Sequence, residues 1–254
     1  MSLPLSVLVT ARDEEEELPR ALASVVGWAA EVVVVVDPRT RDRTREVASE
    51  VGATVVEHAF SSSAAQCNWG VERCRHDWVL VLDADERASA ALRDAIDQVL
   101  AAPAHAAYSV KRTNLAFGRP LRFGDWGGDR VVRLFDRRRA RFAARAVHGS
   151  VAAPSVGCLD GTLEHNTLRS LPQYLPKLND YALRGAEELV AANRRTSLLG
   201  AAARAEWRFV RSFVVRLGFL DGGPGFVVAV LGAYGTFLKW AAVWETTTRR
   251  RVFP

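Results

Sequence analysis

The sequence predicts an α/β fold: a mostly parallel sheet with helices on both faces, followed by a helical extension at the C-terminus. Three observations predict it. Short apolar runs alternate with helical patterns through residues 1–100, as repeated β–α units require. Two of those runs, Glu31–Val36 (EVVVVV) and Trp78–Leu82 (WVLVL), are too continuously apolar for a strand with one wet face and suit strands covered on both. Residues 201–254 drop the alternation and read as helices.

Taken in order, Leu5–Thr10 (LSVLVT) is the first strand, and a helical pattern follows around Leu18, Leu22 and Val25. Glu31–Val36 is the second strand, Thr44–Glu50 a helix and Thr54–Glu57 the third strand. Ser63–Cys74 reads as a helix, Trp78–Leu82 as the fourth strand and Ala88–Leu100 as a helix. From Tyr108 the pattern changes: Tyr108–Thr113, Val131–Phe135 and Val147–Val151 are short strands among Gly- and Arg-rich loops. Pro172–Asn193 is a helix with Tyr174, Leu178, Tyr181, Leu189 and Val190 at its apolar positions. Arg204–Leu217 is amphipathic, with Trp207, Val210, Val214 and Leu217 on one face and Arg204, Arg208 and Arg211 on another. Leu220–Gly225 (LDGGPG) breaks the chain. The uncharged run Phe226–Leu238 is shorter than the ~20 residues a membrane crossing needs. Two readings of this end stand open: a helical hairpin packed on the domain, or a helix pair lying on a membrane surface.

The chain has 254 residues, 49% of them hydrophobic and 25% charged, which excludes a disordered, collagen-like or disulfide-stapled chain. Its three cysteines, Cys67, Cys74 and Cys158, form no CxxC pair and fit a reducing compartment. The N-terminal MSLPLSVLVT lacks a basic start, and Asp13 and Glu14–Glu17 follow at once, so no signal peptide is expected. Residues 1–200 are electrically balanced, whereas residues 201–254 carry 8 basic against 3 acidic side chains. Residues 111–145 hold 11 basic against 3 acidic. Two basic regions of this kind predict a polyanionic partner: nucleic acid, acidic lipid or a phosphorylated small molecule. No nucleic-acid-binding module accompanies them.

Ligands of an open α/β sheet sit at the carboxyl ends of its strands. Three acidic clusters end the strands here: Arg12-Asp13-Glu14, Asp37, and Asp83-Ala84-Asp85-Glu86. No GxGxxG or GxxxxGK[ST] is present, which disfavours dinucleotide and P-loop sites. Asp83-Ala84-Asp85 is a DxD. Two carboxylates so spaced hold a hard divalent cation, which in turn bridges a diphosphate.

LSVLVTARDEEEELPRALASV, VVVVVDPRTRDRT and AAQCNWGVERCRHDWVLVLDADE together resemble a family 2 glycosyltransferase with the GT-A fold. WGGDRVVRLFDR, AVHG and RLGFLDGGPGFVVAVLGAYGTFLKWAAVWE extend the resemblance to the bacterial lipopolysaccharide core β-1,4-glucosyltransferase group, over roughly residues 4–245. The loop after Asp37 departs from the family's DSxSTD, and Gly149 stands after His148 where the family has Glu.

The resemblance implies a GT-A domain in residues 1–200, with a nucleotide-sugar half in 1–100 and an acceptor half in 101–200, and a basic helical extension in 201–254. It implies a donor pocket lined by Thr10, Ala11, Arg12, Glu14, Asp37, Gln66, Asn68, Asp83 and Ala84. Asp85, with Asp83, would hold Mg²⁺ or Mn²⁺; His148 or His165 would be a further ligand. Asp129 matches the general base of an inverting transfer, with Asp125 in reserve. The expected reaction moves a sugar, glucose from UDP-glucose, onto a lipopolysaccharide core or other membrane-attached glycan, at the cytoplasmic face of the bacterial plasma membrane. Two alternatives remain: a polyprenyl-phosphate acceptor, or a non-catalytic membrane-associated sugar-nucleotide binding module.

Overall fold

The structure, a computed structural model, describes residues 2–143 and 150–252, without the side chains of 249–252. Its elements in chain order are β1 (Leu3–Ala11), α1 (Leu18–Ala23), β2 (Ala29–Val36), α2 (Thr44–Glu50), β3 (Thr54–Glu57), α3 (Ser63–Val71), β4 (Trp78–Asp83), β5 (Glu86–Ala88), α4 (Ala90–Ala101) and β6 (Ala107–Ala116). After these come β7 (Arg119–Pro120), β8 (Asp129–Asp136), β9 (Arg141–Phe142), β10 (Val151–Ala152), β11 (Val156–Leu168), α5 (Leu171–Ala191) and α6 (Leu198–Val210). A π-helical turn (Arg211–Val215), a 3₁₀ turn (Gly218–Asp221) and α7 (Gly222–Val252) finish the chain.

The main sheet has the order β3-β2-β1-β4-β8-β6-β11-β5, with β7 paired to β6. β3, β2, β1 and β4 run parallel, and β8 lies antiparallel to β4. The predicted α/β class and parallel first half are therefore present. Alternation along the strands explains why both faces are dry. Leu5, Val7, Val9, Val34, Val36, Leu80 and Leu82 face one core with Leu18 and Leu22 of α1 and Leu92 and Ile96 of α4. Leu8, Val33, Val35, Val79 and Val81 face the other, with Ala64, Cys67 and Val71 of α3. Burial pushes the Cys67 and Cys74 thiols up to about 12, so neither is a ready nucleophile.

The chain forms two compact units. Unit one is residues 1–113 and 129–165; unit two is residues 114–128 and 166–254. Neither edge coincides with a division at residue 200. Within unit two, Val228 and Leu231 of α7 pack with Ala116, Leu121 and Leu168, so residues 201–254 supply part of that unit's core.

Two expectations change and a third lies partly outside the described residues. β11, 13 residues long, was unforeseen, because Gly157, Asp160 and Gly161 break its β pattern. Gly161 sits at φ +85°, and a Cβ there would stand 2.3 Å from Leu92 N, so the strand passes α4 at a distance only glycine allows. The strand expected at Val147–Val151 is seen only as Val151–Ala152, its earlier part lying outside the described residues. The apolar run Phe226–Leu238 is part of a 31-residue helix, since Lys239 does not end it. By length and composition this helix is long enough to cross a membrane, with mean hydropathy 1.6 over its most apolar window, of which 28% is buried.

Candidate active site

Strand register brings Thr10, Ala11, Asp37 and Asp83 of unit one to one sheet edge, while Gln66 and Asn68 stand on α3. Thr10 stands opposite Val35 on one side and Asp83 on the other, and Ala11 opposite Val36. Asp37, Asp83 and the Arg12–Glu17 loop therefore leave the sheet side by side.

The loops beyond β1 and β2 are laced together. Asp13 accepts the Arg41 N–H at 2.8 Å, Thr44 Oγ1 the Glu14 N–H at 2.9 Å, and Asp42 the Glu15 N–H at 2.9 Å. Arg12 is exposed beside Asp13, 3.5 Å away. Asp37 is buried and grips Arg39, whose Nε lies 2.9 Å from Oδ1; that hydrogen bond holds its carboxyl well below the usual range. Gln66 is bonded to His58, donating to its carbonyl at 3.0 Å. Asn68 clamps the Phe142 backbone through both amide ends, each at 3.0 Å. These two amides hold the wall of unit one together, whatever else they touch.

Around the DxD the charges form a chain. Arg133 donates to Asp83 and, at 2.7 Å, to Glu86. Arg112 reaches Glu86 at 3.4 Å and Asp129 at 2.8 Å through Nε. Glu86 is fully buried and joins the two arginines. Burial pushes the Glu86 carboxyl up, while Asp83 and Glu86 hold the Arg133 guanidinium firmly charged against its own burial. Asp83 and Asp129 thus sit at opposite ends of one ionic network, 46 positions apart in sequence but joined through β4, β6 and β8.

Asp85 points elsewhere. Its Oδ1 lies 3.4 Å from His165 Nε2 on β11, and both side chains are mostly buried. Burial lowers the His165 pKa, but the Asp85 hydrogen bond and the charges of Asp85 and Glu86 outweigh it and raise it overall. A carboxylate oxygen beside an imidazole nitrogen suits a divalent cation such as Mn²⁺. Among the described residues no group of three or more His, Cys, Asp or Glu is gathered for a metal. The pair offers two ligands to a cation, whose other ligands would have to come from a diphosphate and water. His148 lies outside the described residues.

Asp125 belongs to unit two and is bound to three guanidiniums there: Arg208 at 2.6 Å, Arg211 at 3.1 Å and Arg216 at 2.8 Å.

The model of the glycosyl transferase family 2 matches residues 6–147, more than half of the chain. This chain belongs to that family. It is 28% identical over 260 residues to an uncharacterized glycosyltransferase of Rickettsia typhi, covering 97% of this chain and 89% of that protein. It is 27% identical over 252 residues to the lipopolysaccharide core biosynthesis glycosyltransferase LpsC of Rhizobium meliloti, covering 96% and 93%. Among solved structures, it resembles a mannosyltransferase from Pyrobaculum calidifontis in complex with GDP-Man and Mn²⁺, at TM-score 0.55 and 14% identity, covering 96% and 88%. The fold is that of a GT-A glycosyltransferase, as the sequence resemblance implied.

In this family 2 glycosyltransferase, sequence reading gave no site role to Glu86, Arg112 or Arg133. Glu86 directly follows the DxD, which was a signal. Its complete burial was not foreseeable, because a glutamate is hidden only when paired and its partners lie 26 and 47 positions away.

Proposed function

We propose that this glycosyltransferase is a metal-dependent, inverting enzyme that moves a sugar, glucose in the first instance, from a UDP-linked donor to a lipopolysaccharide-core or other membrane-attached glycan. The observation that carries the reading is Asp83-Ala84-Asp85 at the carboxyl edge of the parallel sheet, with His165 beside Asp85. The name of the Rhizobium meliloti relative supports the acceptor class, and the Mn²⁺ of the mannosyltransferase structure supports the metal.

In this reading Thr10, Ala11, Arg12, Glu14 and Asp37 line the nucleotide pocket. Asp83, paired with Arg133, faces the donor's ribose and sugar. Asp85 and His165 would hold Mg²⁺ or Mn²⁺. Such a cation, when bound, neutralises the charge that develops on the departing diphosphate. Asp129 takes the acceptor hydroxyl proton, and Arg112 fixes its carboxylate in place. Asp125 already carries three arginine contacts, so it is given a structural role. The protein works at the cytoplasmic face of the membrane.

The test is calorimetric binding of Mn²⁺ with UDP, alongside transfer assays. Asp85→Ala is expected to lose Mn²⁺-dependent UDP binding and transfer while keeping its circular dichroism spectrum. Undiminished transfer by Asp85→Ala, or by the wild type in excess chelator, refutes the metal role. Donor binding without either hydrolysis or transfer would favour a non-catalytic module.

A further inference from the structure

Unit two carries an unusual corner where α6 turns into α7. Phe213 lies 5.4 Å from Phe209, 6.2 Å from Phe219 and 5.5 Å from Phe226 between ring centroids, so four aromatic rings form one patch. Val214, Val215, Leu217, Phe219, Leu220 and Phe226 are each between 43% and 61% exposed. Contiguous apolar surface of this density marks a contact site. The turn itself is strained to present it: Leu217 holds φ +58°, a conformation that glycine would adopt freely.

The same corner holds Arg208, Arg211 and Arg216, all directed at Asp125. Three positive charges face one negative. The guanidinium side chains are 34–48% exposed, and the Asp125 side chain only 6%. Asp221, the other acid of the corner, is spent on the N–H groups of Arg122 and Phe123, the latter at 2.9 Å. Counting Asp221 as well, the corner keeps a net charge of +1, and its arginines are part-exposed and pre-oriented by a single carboxylate.

We propose that this corner docks on an anionic phospholipid surface, its arginines taking headgroup phosphates and its apolar rim entering the acyl boundary. Free phosphate would account for the arginines but not for six exposed apolar side chains. Basic groups beside a half-exposed aromatic patch are the chemistry of a bilayer interface. The inference deepens the proposed function and rests on its membrane-attached acceptor, but its test does not depend on transfer.

The test is co-sedimentation of the full chain with vesicles of phosphatidylcholine alone or with about 30% phosphatidylglycerol, at low and high salt. The wild type is expected to bind the anionic vesicles, less tightly but measurably at high salt. Arg211→Gln/Arg216→Gln should bind them about 25-fold more weakly at low salt, roughly fivefold for each lost charge. Val215→Ser/Leu220→Ser, both at exposed positions, should weaken binding at either salt. UDP binding, read in parallel, should be unchanged in both variants. Lack of capture of the wild type at low salt overturns the docking surface, as do variants that bind like the wild type. Stabilisation by inorganic phosphate without vesicle capture also overturns it, as a free-anion site. Loss of UDP binding by the wild type would instead refute the transferase reading and leave the vesicle result standing.

Discussion

Replacing Arg133 by methionine removes a guanidinium that reaches both Asp83 and Glu86. Methionine keeps the apolar stem but ends short of the guanidinium, so some packing is lost together with the charge. The charge is the larger loss. Glu86 has no exposed surface, and its 2.7 Å bond to Arg133 is its tightest ion pair. At an effective dielectric of about 20, opposite charges at that separation attract by about 6 kcal/mol. Part of this is returned, because the guanidinium no longer has to be stripped of water. The net cost of leaving one buried partner uncompensated is about 3–5 kcal/mol. Arg112, at 3.4 Å, offsets only a fraction. For a chain of this size the cost corresponds to a fall in Tm of roughly 6–20 °C. Urea unfolding followed by circular dichroism measures it. The charge argument also makes a sharper claim. In Arg133→Met/Glu86→Gln the orphaned charge is gone, so the double variant should be more stable than the sum of the two single losses by about 1–3 kcal/mol. If Arg133→Met costs less than about 1 kcal/mol, or the two losses simply add, the network is not what holds this edge of unit one.

Asp129→Asn should keep UDP affinity and lower turnover by about 10²–10⁴, the loss expected when a general base goes; steady-state kinetics decide, and wild-type turnover would move the base elsewhere. Gly161→Ala should lower unfolding stability by at least about 1–3 kcal/mol, because φ +85° strains an alanine and its Cβ would meet the Leu92 backbone at 2.3 Å. Glu31 is buried and accepts bonds from Ser6 and, at 2.7 Å, from Arg75 N and Nε. Those bonds hold its carboxyl below the ordinary value despite a desolvation that pushes it up. A lowered acid stabilises the fold above its unfolded pKa of about 4.3 and loses that contribution as pH falls through the folded value. Glu31→Gln should therefore cost about 1.5–3 kcal/mol at pH 7, with the gap to wild type closing below pH ~4 in acid titrations of stability.

The parallel strands were legible because Val32–Val36 and Val79–Leu82 carry their double burial in composition alone. The strand ends then placed Thr10, Asp37 and Asp83 together without any knowledge of distance. β11 was not legible, since its two glycines and Asp160 obey a constraint set by α4, some 70 positions earlier. His165 was named as a possible ligand, but nothing in its own segment marks it as the neighbour of Asp85. That adjacency comes from the antiparallel pairing of β11 with β5. Asp125 illustrates the same limit. It stands in reserve as a base by sequence, and nothing in its own segment announces its partners Arg208, Arg211 and Arg216, more than 80 positions later in the chain.

The interleaving of the two units sets a timetable for biosynthesis. Ala116 and Leu121 leave the ribosome well before the side chains that pack against them, Val228 and Leu231. The interval is about 110 residues, roughly 5–20 s of translation. During it the nascent chain carries an uncovered apolar seam, while residues 129–165 still have to complete the other unit. Unit two therefore closes only after residues 228–231 have emerged. A stop codon near residue 200 would not yield a smaller soluble enzyme; it would freeze the chain in that half-made state, a substrate for chaperones and proteases.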